Sequence, residues 1–180
     1  MVVGLDLSIN STGVCLRDPK DPKPTYFLIV PKLSKRMVAV NGMKSCSISH
    51  ITYEKIKDHI SDNIRHIGEK ISGIIKEYEG QIEYVVIEDV AVAAKSRSII
   101  DLTLLNGYVR CLLDSMGIKY YTVTPSQWKK QVLGNGCADK ELIVYHWAKF
   151  DVENCRHMMD MHTKCDDCAD AYFLTCWKPC

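Results

Sequence analysis

The order of strand and helix patterns along the chain is the feature that most constrains its fold. Three strand-like stretches come first, at residues 1–8, 13–18 and 26–30, and turn-forming residues separate them. Two further strand patterns, at 83–90 and 118–124, alternate with helical ones. This order predicts an α/β fold in which a three-strand meander and the two later strands form one mixed five-stranded sheet, with helices on both faces.

Apolar residues at helical spacing indicate the first two helices. From Ile56 to Ile74, isoleucine recurs every three or four residues with charges between, which predicts a helix beginning near Thr52. A second helix is predicted around 98–116, and Gly117 is placed to end it. The apolar face of the second helix consists of Leu102, Leu105, Val109, Leu112 and Met116.

Three shorter helices are predicted in the remainder of the chain. Pro125 opens the first, because a missing N–H costs nothing in a first turn, and the LGNG segment at 133–136 ends it. The other two helices are predicted within 138–150 and 166–177. Residues 31–51 show no clear period and are predicted to form an irregular loop.

Length and composition are those of an ordinary globular protein. The 180 residues, 47% of them hydrophobic and 25% charged, predict a single domain over 1–180. No apolar run reaches the roughly 18 residues that a transmembrane helix needs. The N-terminal segment lacks the basic region and cleavage site of a secretion signal, so secretion is not predicted. Because the net charge is only +1, we expect local basic patches to hold any nucleic-acid partner.

Four acidic residues occupy positions where a mixed sheet exposes side chains. Asp6 lies between two leucines in the first strand, and Glu88 ends an apolar strand. Asp167 and Asp170 lie three residues apart at the start of the last helix and therefore share a face. Burial of such carboxylates is costly unless they are paired or bind metal. Each acid alone is equally typical of a turn or a solvated helix start, so the hypothesis depends on the set of four.

Four acids that converge without basic partners predict a site for divalent cations. Carboxylate and water ligands suit Mg²⁺ or Mn²⁺ better than zinc. Two such ions about 3.5–4 Å apart activate water and stabilise the leaving oxygen in phosphoryl transfer. The acids therefore predict metal-dependent phosphoryl-transfer chemistry with two ions per site.

Four segments of the chain stand out together: GLDLSINSTG, VVIEDV, PSQWKKQVLGNGCADKELI and DDCADAYFL. In this order they resemble the RuvC family of Holliday-junction resolvases, within the ribonuclease-H-like superfamily. The resemblance implies a ribonuclease-H-like fold in which the four acids are the metal-binding catalytic residues, with Lys140 in the catalytic set and Lys129 beside it contacting DNA. It also implies a homodimer, joined through the helix around 98–116, that nicks a four-way DNA junction symmetrically and leaves 5′-phosphate ends.

Further basic residues extend the predicted DNA surface. Lys95 and Arg97 follow the strand of Glu88, and the irregular loop carries Lys32, Lys35 and Arg36. Each alone is typical of a plain surface charge, but as a group they would contact phosphates and make binding fall with salt. Nine cysteines without a secretion signal favour the cytoplasm or another reducing compartment that holds DNA, such as a nucleoid, an organelle or a viral factory.

Three positions bear on how a junction would be held. Bacterial members of the family carry an aromatic residue that stacks on a base where this chain has Ala91. Since base stacking on aromatics contributes about 1–3 kcal/mol, its loss predicts sequence-tolerant cleavage. On the dimer helix, Asn106 and Gly107 are small enough to let the same helix of a second subunit approach closely.

The pair Cys165 and Cys168 raises the alternative of a structural zinc site. Four ligands are needed, and the nearby candidates are Cys155, His157 and His162. However, one residue along a helix is about 100° of rotation, so Cys168 is predicted to point away from the face of Asp167 and into the core. No second C-x-x-C accompanies the first, so the acids are the better candidates. Asp166 is predicted to cap or begin the helix.

Three alternative functions remain open at this stage. The first is a related metal-dependent nuclease acting on flap, branched or replication-fork DNA. The second is a junction-binding protein without catalysis, which the complete set of acids disfavours. The third is an actin-like ATPase or sugar kinase, because GLDLSINSTG also resembles a phosphate-binding loop; 180 residues supply only one of the two lobes that such proteins need.

Overall fold

The computed structural model describes residues 1–21, 23–32, 48–90, 97–151 and 165–179, without the side chains of Arg97 and Cys165. Six strands lie in these ranges: β1 (Val2–Asp6), β2 (Thr12–Arg17), β3 (Thr25–Pro31), β4 (Ile48–Tyr53), β5 (Tyr84–Glu88) and β6 (Tyr120–Val123). The helices in the same ranges are α1 (Ile60–Glu77), α2 (Arg97–Ser115), α3 (Pro125–Leu133), α4 (Lys140–Phe150) and α5 (Cys165–Cys176). None of these helices is long and apolar enough to cross a membrane.

The strands form one mixed sheet in the order β4-β3-β2-β1-β5-β6. The pairs β1–β2 and β2–β3 are antiparallel, which confirms the predicted meander. The pairs β1–β5, β5–β6 and β3–β4 are parallel. All the described strands except β2 therefore run in one direction, and their carboxyl ends share one edge of the sheet.

The sheet has one more strand than predicted, and α1 begins later than predicted. The additional strand, β4, lies in the region predicted to be a loop and pairs with β3 at the edge of the sheet. Its sequence, ISHITY, carries polar residues at exposed and half-buried positions, so its apolar pattern is weak. Helix α1 begins at Ile60 instead of near Thr52, because the side chain of Asn63 bonds to both the N–H and the carbonyl of Ile56 and holds a turn there.

The helices cover both faces of the sheet, as predicted. Alternation along β1 sends Val3 and Leu5 to one face, where they pack with α1 and α2. Val2 lies on the opposite face, in a second core that contains residues of α3, α4 and α5. Cys168 is fully buried in this second core, which confirms its predicted inward position.

Helix α5 lies directly against the backbone of β1 and β2. A Cβ atom on Gly4 would lie 2.0 Å from the carbonyl oxygen of Ala171, and one on Gly13 would lie 2.1 Å from that of Asp167. No side chain fits at either glycine without a backbone shift. The absence of side chains at these two strand positions therefore sets how closely α5 approaches the sheet.

Candidate active site

Asp6 and Glu88 lie side by side at the carboxyl edge of the sheet. They end the neighbouring parallel strands β1 and β5, and the pair before them in register is Leu5 with Ile87. Because side chains alternate along a strand and Leu5 and Ile87 both face α1 and α2, the two acids face the opposite side. This is the side covered by α5.

Helix α5 brings the second pair of acids over the first. Gly13 is the register partner of Asp6 across β1 and β2, and the carbonyl of Asp167 lies against Gly13. The first turn of α5 is therefore above Asp6. Asp167 is buried, and Asp170 follows one turn later, partly buried. The structure thus places the four acids that the sequence singles out on the same side of the sheet, near enough for the charges of the other three to act on Asp6.

Burial and mutual repulsion shape the protonation of these acids. The pKa of Asp6 is raised well above its usual range, first by burial and then by the negative charges of Asp170, Glu88 and Asp167. Burial, followed by repulsion from Glu88, raises the pKa of Asp170 to about 7. Burial also raises the pKa of Glu88. Without a cation, the ionised carboxylates of the site therefore repel one another.

The donor set fits a hard divalent cation. All four side chains offer carboxylate oxygens, and the buried Oδ1 of Asp170 accepts no hydrogen bond from the described residues. Among the described residues, no three acidic, histidine or cysteine side chains stand close enough together to hold a metal ion by themselves. Mg²⁺ commonly keeps several waters and is held by a few carboxylates together with substrate phosphates, so an open arrangement of this kind suits it.

Two lysines predicted from the sequence lie beside the acids. Lys140 Nζ forms an ion pair with Asp166, and this hydrogen bond raises the pKa of the lysine. Lys129 Nζ donates to the carbonyl of Ala138 at 3.0 Å. Both lysines oppose the rise in pKa of Glu88 and Asp170. Asp166 lies in the first turn of α5 and is the ion-pair partner of Lys140.

Two residues that sequence reasoning did not assign to the site contact Glu88. Trp128 Nε1 donates to Glu88 Oε2 at 2.7 Å, and Asn106 Nδ2 donates to the Glu88 carbonyl at 3.0 Å. The prediction that Asn106 faces a second subunit is wrong, because its side chain is buried against β5. The sequence signal for the role of Asn106 was a polar residue next to the apolar face of α2. Such a residue is expected to be buried with a hydrogen-bond partner, because buried polar groups nearly always have one.

The structure shows no contact between the remaining predicted basic residues and the four acids, as far as these residues are described. Lys32 pairs with Glu54 at 2.8 Å, with both side chains exposed, at the same edge of the sheet as Asp6. Lys35, Arg36, Lys95 and Ala91 lie outside the described residues, and Arg97 is described only as the first residue of α2. The candidate zinc ligands Cys155, His157 and His162 also lie outside the described residues.

Comparison with solved structures identifies the class of fold. A structure described as Thermus thermophilus RuvC aligns with a TM-score of 0.60 at 16% identity, covering 97% of this chain and 90% of that one. A structure described as T. thermophilus RuvC in complex with Holliday junction substrate aligns with a TM-score of 0.62 at 15% identity, covering 97% and 89%. With its sheet order β4-β3-β2-β1-β5-β6 and helices on both faces, the protein has the ribonuclease-H-like fold of these two structures.

Sequence comparison then identifies the family. The family described as crossover junction endodeoxyribonuclease RuvC matches residues 29–175. A protein of Sulfurovum sp. (strain NBC37-1) with the same description is 36% identical over 93 residues, which are 51% of this chain and 57% of that relative. The chain belongs to the RuvC family, and the matched region spans little more than half the length of this curated relative.

The metal-free protein is expected to lose stability as the pH rises. The folded-state pKa of Asp170, about 7, lies above its ordinary value of 3.8. Stability that is complete below the ordinary value is therefore lost as the pH rises toward and through 7. We expect thermal denaturation in EDTA to give a lower Tm at about pH 8 than at about pH 5, with Mg²⁺ restoring it at the higher pH. A Tm that rises over this interval and ignores Mg²⁺ would contradict the prediction; Asp170→Asn should flatten the profile.

Proposed function

We propose that the protein is a metal-dependent endonuclease that resolves four-way DNA junctions by symmetric hydrolysis of two phosphodiester bonds, leaving 5′-phosphate ends. The convergence of four carboxylates from β1, β5 and α5, in a chain of the RuvC family, carries the proposal. We propose one domain over residues 1–180 as the catalytic unit.

The acids are the proposed metal ligands. Asp6, Glu88, Asp167 and Asp170 would hold two Mg²⁺ ions, or Mn²⁺, which when bound activate water and stabilise the leaving oxygen. The protein's own part is to keep these carboxylates ionised and close together. The lysines beside the site support this role, because their charges oppose the rise in the pKa of Glu88 and Asp170.

Lys140 and Lys129 are the proposed contacts to the DNA near the acids. The side chain of Lys140 is largely exposed and is paired with the mostly buried Asp166, so its ammonium group can reach a phosphate from the solvent side of this ion pair. Lys32, Lys35, Arg36, Lys95 and Arg97 are proposed to contact phosphates farther along the arms. Binding should then weaken steeply with salt.

An exposed apolar stripe on α2 is the proposed dimer surface. Ile100 and Leu104 are 61% and 52% exposed, and Gly107 and Cys111 continue the stripe at the next helical positions. Leu105, on the other side of the helix, is buried in the core. Pairing of two such stripes about a two-fold axis gives two equivalent sites, which symmetric nicking requires.

Leu104→Glu is expected to dissociate the proposed dimer. A charge at the centre of an apolar helix pair is buried without a partner, which opposes association. Light scattering after size exclusion should show a dimer for the parent protein and a monomer for the variant, with paired nicking reduced to single nicks. Tyr145→Glu, at a 58% exposed position on α4, is the matched control and should remain dimeric. A dimeric Leu104→Glu protein would exclude this surface.

The activity is tested by cleavage of an immobile four-way junction with Mg²⁺ or Mn²⁺, with the fragments mapped on all four strands. We expect symmetric nicks in two opposing strands, 5′-phosphate ends and no cleavage in EDTA. A replication fork and a flap of matched sequence serve as comparison substrates. Faster cleavage of the fork or flap would favour the alternative nuclease, and binding without cleavage would leave only a junction-binding protein.

A further inference from the structure

Glu88 is held from two directions by neutral donors. Asn106 on α2 bonds to its carbonyl oxygen, and Trp128 on α3 bonds to its side-chain Oε2 at 2.7 Å. The first bond fixes the main chain where β5 ends. The second restrains the carboxylate at the end of the side chain.

The indole of Trp128 is itself rigidly placed. Its side chain is fully buried, and its ring stacks on Phe173 of α5 with centroids 6.3 Å apart and an interplanar angle of 15°. The ammonium of Lys129 lies 5.6 Å from the ring centroid. The ring therefore packs on the helix that carries Asp167 and Asp170, while its N–H reaches the carboxylate on β5.

An indole N–H has properties that suit it to orienting a metal ligand. It is a donor only and carries no charge, so it occupies one carboxylate oxygen without neutralising the group. A lysine or arginine in its place would compete electrostatically with a cation. Groups that hydrogen-bond to ligating carboxylates typically change metal affinity or activity about 10–100-fold when they are removed.

We infer that Trp128 is a positioning residue that orients the Glu88 carboxylate toward the cation and thereby sets the affinity for Mg²⁺. The inference rests on the proposed function, because it takes Glu88 as a metal ligand. It adds a residue that acts through Glu88 and links α3 and α5 to the end of β5.

The chain provides a matched control in Trp147. This residue is also fully buried, lies on α4, and donates its Nε1–H to Tyr26 Oη at 3.0 Å. Trp147→Phe removes the same indole N–H donor as Trp128→Phe, but its acceptor is a neutral hydroxyl and not a carboxylate. Both substitutions remove a buried hydrogen bond and should lower the Tm, whereas only one of them alters a contact with an acid of the site.

The first measurement is the Mg²⁺ concentration that gives half-maximal junction cleavage. In Trp128→Phe we expect it to rise about 10–100-fold, with most of the rate recovered at saturating Mg²⁺. Trp147→Phe should keep the parent value. Equal Mg²⁺ requirements in the two variants would overturn the inference, and would leave the proposed function intact if the parent protein cleaves.

The second measurement reads metal binding without DNA or catalysis. In the double variant Trp147→Phe/Trp177→Phe, Trp128 is the only one of the chain's three tryptophans that remains. Mg²⁺ alone should change its fluorescence in proportion to occupancy, whereas Trp128→Phe/Trp177→Phe, which keeps Trp147, should not respond. If the parent protein cleaves with Mg²⁺ but Trp128 does not respond, the inference fails. If the parent protein shows no Mg²⁺-dependent cleavage, the proposed function fails and the inference fails with it.

Discussion

Replacing Asp6 with asparagine is expected to abolish Mg²⁺-dependent cleavage while junction binding persists. Asp6 lies below the first turn of α5 and beside Glu88, so its carboxylate is at the centre of the proposed site. Loss of a charged ligand there should raise the barrier by about 4 kcal/mol or more, which is about a thousandfold in rate. Cleavage rates and gel-shift affinities for the same four-way junction measure the two effects separately.

The same substitution is expected to stabilise the metal-free protein. The pKa of Asp6 is raised in the folded state by burial and by the charges of four other acids, so ionising this carboxyl group costs more in the folded protein than in the unfolded chain. Asparagine keeps the shape and removes the charge, and Tm in EDTA should rise at about pH 8 but little at acidic pH. An Asp6→Asn protein that cuts at the full rate would disprove the metal assignment. One that loses both cleavage and stability would indicate a structural role instead.

Gly13→Ala is expected to damage both stability and cleavage. The added Cβ would lie 2.1 Å from the carbonyl oxygen of Asp167, so α5 must move away from β2. Overpacking of this kind typically costs about 1–3 kcal/mol. A displacement of about 1 Å in a catalytic group can also reduce the rate about 100-fold. Urea denaturation and junction cleavage by the variant measure the two losses.

Gly73→Ala is the control for Gly13→Ala. Gly73 lies within α1, and a Cβ there meets nothing within 4 Å. Alanine in a helix interior is favoured over glycine by about 0.5–1 kcal/mol, so this variant should be slightly more stable and equally active. If Gly13→Ala behaves like Gly73→Ala, the close approach of α5 does not position the acids.

Local sequence patterns determined most of the elements but not their limits. The isoleucine repeat of α1, Pro125 at the start of α3 and the left-handed Gly117 and Gly134 at helix ends depend on contacts within a few residues. Strand β4 was not predicted because it is an edge strand with few buried positions, formed by pairing with β3. Its existence depends on a non-local partner, which no local period records.

The sequence by itself singled out the side chains to which the chemistry is proposed, and the tertiary structure decided how they are held. Asp6, Glu88, Asp167 and Asp170 stand out because ionised groups are rare in apolar surroundings and each lies at the end of a recognisable element. Trp128 and Gly13 do not stand out, because a buried tryptophan and a strand glycine have many ordinary uses. Their roles arise from contacts with Glu88 and Asp167, 40 and 154 residues away in the chain. Only the folded arrangement brings these groups together, and it does so because α5 packs directly on the face of β1 and β2, which lacks side chains at Gly4 and Gly13.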